Sequence, residues 1–160
     1  MSKIKLFLKI CILSLAGLGA TFGFASDKLN HRAVVETAKK MSISVERVRE
    51  DAIDGCSGSQ FSMNVCATYH YVVEDLNLND LYSQAIAKVR STPAEPLLRK
   101  SQKAWLIYRD ASCEYESQGV EGGSMHGAYA LECMKNLTSE RAQHLEKYVK
   151  CTSAGCPGNN

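Results

Sequence analysis

The sequence predicts an all-α protein: an antiparallel bundle of three long helices plus short N-terminal helices, closed by disulfides. Three observations carry this. Apolar residues recur in steps of three and four through most of the chain, and no strand-period segment of useful length appears. Capping and helix-ending residues stand where that periodicity starts and stops. Six cysteines follow a segment with the features of an export signal.

That segment is residues 1–25. Lys3, Lys5 and Lys9 precede an apolar run from Ile10 to Phe24, and Gly23-Phe24-Ala25 supplies small residues for cleavage after Ala25. The run is too short for a comfortable membrane span, so no stable membrane insertion is expected once it is removed. Cys11 lies inside it, preceded by Lys9-Ile10, which is a poor setting for lipid attachment. The chain has 19 Lys and Arg against 17 Asp and Glu. Without the three signal lysines, 16 basic residues face 17 acidic ones. No basic face remains for nucleic acid, and no acidic excess for a basic partner at long range. The expected location is exported, either periplasmic or secreted.

Residues 26–54 form an N-terminal extension with two short amphipathic pieces, around Ala33–Met41 and Ser44–Ala52. Their order superficially resembles a helix-turn-helix. An exported chain does not meet DNA, and the turn near Ser42 lacks glycine, so two small surface helices are expected.

The main domain is expected over residues 55–150. Ser59 suits the N-cap of a long helix from Phe61 to Arg90, with a stripe of Val65, Tyr69, Val72, Leu76, Asn79, Tyr82, Ile86 and Val89. Asn79 is the polar exception and is expected to be a core amide with partners, such as Arg109 or a loop carbonyl. Thr92-Pro93-Ala94-Glu95 is a capping box with proline at the first helical position. It opens a helix to Ser117, with the only tryptophan, Trp105, facing the core and Arg109-Asp110 behind it. Gly119 suits the end of that helix and Ser124 the N-cap of the next, over Met125 to Lys150. Its stripe is Ala130, Met134, Leu137, Arg141, Leu145 and Tyr148, and Arg141 is expected to reach Asp110 or Asp75. Residues 151–160 are expected to be a flexible cysteine-containing tail with no core to make.

Cys56, Cys66, Cys113, Cys133, Cys151 and Cys156 are an even set in an exported chain and predict three disulfides. The 9, 46, 19, 17 and 4 residues between them are not zinc-site spacing. Sequence alone leaves several pairings open. Placed on the helical frame, the preferred set is Cys56–Cys66 locally, Cys113–Cys133 across the helical hairpin and Cys151–Cys156 in the tail.

Leu76–Tyr82 (LNLNDLY), Gln102–Cys113 (QKAWLIYRDASC), Gly122-Gly123-Ser124 and Cys133–Arg141 (CMKNLTSER) together resemble the domain named after the bacterial lysozyme inhibitor LprI. The resemblance runs from about Cys56 to Tyr148. It implies an exported, disulfide-bonded helical domain, and a lysozyme-type muramidase as the leading protein partner. The segment before Cys56 and the Cys151–Cys156 tail look like additions to that domain. A lipoprotein cysteine at the signal junction is missing.

An inhibitor needs a rigid scaffold and a projecting loop. The Gln118–His126 loop fits, with Glu121, Gly122, Gly123, Ser124 and His126 as candidate contacts and Ser124 and His126 as hydrogen-bond donors. The plainer reading is that the glycines only turn the chain and Ser124 only caps a helix. Asn79, Tyr82, Trp105, Arg109, Asp110 and Arg141 are expected in the core or just behind it. A hydrolase is disfavoured, because Ser124, His126 and Asp110 lack a nucleophile-elbow setting. His31, His70, His126 and His144 are scattered without metal-ligand spacing, so neither cofactor nor metal is expected. Asn136-Leu137-Thr138 is a glycosylation triplet inside a predicted helix and carries no weight. The alternative function is a cell-envelope or host-facing interaction module with no muramidase target.

Overall fold

The computed structural model describes residues 29–53 and 56–158. The expected signal peptide lies outside the described residues. The protein is all-α, and its helices are α1 (His31–Met41), α2 (Val45–Ile53), α3 (Gln60–Val89), α4 (Ala94–Ser117) and α5 (His126–Lys150). A single 3-10 turn, Gln118–Val120, follows α4.

The first four helices each start for a local reason. The Asn30 side chain accepts from the Ala33 amide at the head of α1, and Ser44 does the same for Arg47 in the first turn of α2. Ser59 accepts from the Ser62 amide and caps α3. At α4 the box is shifted by one residue. Glu95 accepts from the Ser91 amide rather than from Thr92, while the Thr92 hydroxyl accepts from Ala94. Between α1 and α2 the turn is made without glycine: Ser42 adopts the left-handed conformation, and its amide donates to the Ala38 and Lys39 carbonyls.

α3 is the axis of the bundle. Its N-terminal half packs in one cluster with Ala33, Val34 and Ala38 of α1, Val48 and Ala52 of α2, and Leu131 and Met134 of α5. Its C-terminal half packs Leu78 and Ala85 with Ala142 and Leu145 of α5, and with Leu98 and Trp105 of α4. The end of α3 lies beside the end of α5, so those two run parallel and α4 runs antiparallel to both. Lys88 of α3 makes this visible, because its ammonium donates to the Tyr148, Val149 and Cys151 carbonyls at the α5 terminus.

This geometry corrects two expectations. α1 and α2 are not surface additions. Ala33, Val34 and Val48 are almost fully buried, and Tyr69 accepts a hydrogen bond from the Asn30 amide. The tail does have packing to make, since Cys156 is buried and Gly158, at positive φ, sits so close to Val89 that a Cβ there would stand 3.0 Å from its Cγ1.

The stripe on α3 also shifts. Asn79 is exposed, and its amide donates to the Asp75 carboxylate on the surface; Leu78 takes the buried position instead. The cause is a change of partner along one long helix. The first half is covered by α1, α2 and α5 and the second by α4 and α5, so the buried face rotates from Val65–Tyr69–Val72 to Leu78–Ala85.

Disulfides join Cys56 to Cys66, Cys113 to Cys133 and Cys151 to Cys156, the pairs expected from the helical frame. The middle one fastens α4 to α5, with Cα atoms 5.4 Å apart.

Candidate functional site

The α4–α5 connection stands at one end of the bundle. The chain leaves α4 through Gln118–Val120 and turns back at Gly122, whose φ of 76° is the left-handed value that glycine takes without strain. Gly119, the expected helix-ending residue, is not at positive φ. The turn is closed by the Gly123 amide donating to the Val120 carbonyl, and the His126 amide donating to the Gly123 carbonyl. Met125 occupies the cap position of α5 and no side chain caps there, so Ser124 is free of the capping role expected of it. Glu121, Gly122, Gly123 and Ser124 are all exposed.

His126 is placed differently. It is half-buried, with Nε2 3.1 Å from the Ser117 hydroxyl, which is itself buried and bonded to the Cys113 carbonyl at 2.8 Å. Ser117 spends its proton on a main-chain carbonyl, so an imidazole N–H donating to its oxygen completes the set. His126 therefore ties the base of the turn to α4 and faces inward on that side. Ser117 was not singled out from the sequence; a serine four residues beyond a cysteine in a helix is the only signal it leaves. The triad ingredients stay apart, with His126 on Ser117 and the Asp110 carboxylate held by Arg109 at 2.7 Å.

Beside the turn is an open groove of about 410 Å³ between the first half of α3 and the start of α5. Met63, Ala67, Met125, Ala128 and Tyr129 make it largely apolar, with His70, Glu116, Glu132 and Asn136 on its rim. Tyr129 and Met125 are exposed there. Cys56, Cys66 and His70 bring ligand-type atoms within 4.8 Å of one another. The two sulfurs are bonded together, which removes the thiolates that a metal would need.

The conspicuous charge cluster lies at mid-bundle. Arg109 is buried, lies 5.3 Å from the Trp105 ring and 5.6 Å from the Tyr71 ring, and reaches Asp110 at 2.7 Å and Asp75 at 3.6 Å. Tyr71 has its pKa pushed above the usual value by burial first and by Asp75 next, with Arg109 acting the other way. Asp110 is exposed rather than core. Arg141 is buried but does not reach a carboxylate; it donates to the Gln102 side-chain oxygen at 3.0 Å and to the Ser101 hydroxyl at 3.1 Å. Burial lowers its pKa. Arg109 takes Asp75 because Asp75 lies one turn after Tyr71 on α3, whereas Arg141 faces the first half of α4. Trp105 and Tyr82 are half-buried against the second core cluster. Arg109 and Arg141 are thus spent on contacts within the protein, whereas the Glu121–Ser124 turn is exposed beside its groove.

The lysozyme inhibitor LprI family matches residues 54–145, more than half of the chain. The chain belongs to that family. It is similar to the uncharacterized protein R02472 of Rhizobium meliloti (strain 1021), 31% identical over 104 residues, covering 58% of this chain and 75% of that protein. It is also similar to the uncharacterized protein YecT of Escherichia coli (strain K12), 30% identical over 97 residues, covering 52% of this chain and 60% of YecT. No solved structure matches significantly. The LprI family is named for an inhibitor, and the domain is lysozyme-inhibitor-like. Among the described residues no helix is long and apolar enough to cross a membrane.

Proposed function

We propose that this LprI-family domain is an exported protein that binds a lysozyme-type muramidase and obstructs its cleft with the Glu121–Met125 turn. One observation carries the reading. The turn is exposed at its tip and fixed at its base, by Cys113–Cys133 across α4 and α5 and by the Ser117–His126 contact. A loop already held in shape loses little conformational freedom on binding. A muramidase cleft holds two carboxyl groups across the scissile bond, and Ser124 presents a hydroxyl donor just after Gly122 and Gly123, which add no bulk. Met125 and Tyr129 extend the contact into the neighbouring groove, where burial of apolar area adds affinity. His126 acts as the anchor of the turn rather than as a contact. Three disulfides suit an oxidising compartment, periplasmic or extracellular.

The test is an inhibition assay of the oxidised protein against several lysozyme classes. Submicromolar inhibition, lost when Gly122-Gly123-Ser124 is replaced by a longer unrelated linker, is the expected result. Inhibition that survives the replacement moves the contact off the turn. No inhibition of any class, by a sample shown to be folded, overturns the reading in favour of a cell-envelope or host-facing interaction module.

A further inference from the structure

α4 has a second apolar face that the bundle does not cover. Its inner side, at Gln102, Arg109, Cys113 and Ser117, is buried on α5 and α3. On the opposite side Leu97, Ala104, Tyr108, Ala111 and Tyr115 follow one another at helical spacing, with Ile107 beside them. Leu97 is 68% exposed, Ile107 72%, Tyr108 58% and Tyr115 82%, and both alanines are exposed as well. The stripe from Leu97 to Tyr115 is about 27 Å long at 1.5 Å per residue. Single exposed apolar residues are ordinary, but a row of this length on one face marks an interaction surface.

The charges beside the stripe identify the partner. All of them lie along one edge, with Arg99, Lys100 and Lys103 in the first half of α4 and Asp110 and Glu114 in the second. The other edge carries Ser101 and Ser112. Among the described residues Lys100, Lys103 and Glu114 make no ion pair. A stripe that is positive at one end and negative at the other, on the same edge, is complementary to itself when reversed. In an antiparallel helix pair like edges meet, so Lys100 faces Glu114 of the other copy and Lys103 faces Asp110. The apolar residues obey the same register, because Leu97 meets Tyr115 and Ala104 meets Tyr108. Every one of these pairs is centred on Leu106, on Ile107 or midway between them. Ala104 and Ala111 let the two helices approach closely. A parallel pair would instead set the charged edge of each copy against the Ser101–Ser112 edge of the other and form none of these charge pairs.

We propose that the protein forms a twofold symmetric dimer in which the outer face of α4 packs antiparallel on the same face of a second copy, the axis passing between Leu106 and Ile107. The contact is isologous and closes on itself, so it yields a dimer and not a filament. It lies on a different helix face from the Glu121–Met125 turn, and it stands whether or not the partner of that turn is a muramidase.

The experiment is sedimentation of the oxidised protein over a range from about 1 to about 500 µM, in low and high salt. A contact of this size is expected to dissociate on the order of 1–100 µM, more easily at high salt. Tyr108→Glu buries a charge at the centre and is expected to leave only monomer. Lys100→Glu sets two acids together in both symmetry-related places and is expected to weaken the dimer by about 10-fold or more, and adding Glu114→Lys is expected to restore it. Lys100 and Glu114 are too far apart on one helix to touch, so rescue reports contact between copies. All three side chains are exposed, and each variant is checked for an unchanged unfolding midpoint. A chain that stays monomeric throughout, a dimer indifferent to Tyr108→Glu, or a failure of Glu114→Lys to rescue Lys100→Glu overturns the proposal.

Discussion

Lys88→Met isolates a contact that joins the ends of two helices across about 60 residues of sequence. The last turn of any α-helix leaves carbonyls without intrahelical partners and carries a partial negative charge. At the end of α5 the Lys88 ammonium donates to three carbonyls, lying 3.3 Å from the Tyr148 oxygen and 3.0 Å from the Val149 oxygen, with that of the cap residue Cys151 completing the set. Methionine keeps most of the apolar stem and removes every donor. A hydrogen bond from a charged group contributes about 1.5–3 kcal/mol, and a cation at a helix C-terminus about 0.3–1 kcal/mol. The ammonium is partly withdrawn from water, which offsets some of this. The expected net loss is about 2 kcal/mol. With a urea slope of about 1–2 kcal/mol per molar, the midpoint falls by about 1–2 M. Trp105 is the only tryptophan and packs against the same core cluster, so its fluorescence follows the transition. A midpoint shift below about 0.3 M, with an unchanged slope, would show that the ammonium is as well served by water as by these carbonyls.

Three further outcomes follow from the same structure. Asn79→Ala is expected to change stability by less than about 0.5 kcal/mol, because the amide is exposed; a loss of about 1–3 kcal/mol in chemical denaturation would mean that it is buried and bonded after all. Replacing both Cys113 and Cys133 by serine opens a loop of 20 residues and is expected to cost about 3 kcal/mol, measured against the oxidised parent; a loss under about 1 kcal/mol would show that α4 and α5 are held without the bridge. Burial, with Asp75 behind it, raises the Tyr71 pKa, so the folded state holds that proton more tightly than the unfolded one. Its contribution is complete below the unfolded value of about 10 and is lost as pH rises through the raised folded value. Unfolding free energy measured from pH 8 upward should therefore fall more steeply in the parent than in Tyr71→Phe, and identical slopes would contradict this.

Much of the fold was legible because it is set locally. Ser59 caps α3, the proline box opens α4, and the periodic segments between them are long enough for period to decide their type. The cysteines fell into pairs once the helices were in place, since two lie on either side of a hairpin and the other four are close in sequence. The errors share a cause. Asn79 was assigned to a stripe that assumed one buried face for all of α3, whereas its two halves have different neighbours. Arg109 and Arg141 were both read as buried cations, and the choice of carboxylate partner depended on which turn of which helix faces them. Ser124 and His126 looked like a cap and a free donor; the turn geometry left one uncapped and turned the other onto Ser117.

The sequence by itself determined the helical class, the extents of the long helices and the family to which the chain belongs; it gave a preferred cysteine pairing and left the others open. These rest on spacing, capping and composition, which act within a few turns of chain. Only the tertiary structure decided that α1 and α2 complete the core, that Lys88 closes the far end of α5, and that one face of α4 is left bare. Each of these depends on which surfaces meet, and burial is a property of a pair of surfaces that neither partner's sequence carries alone.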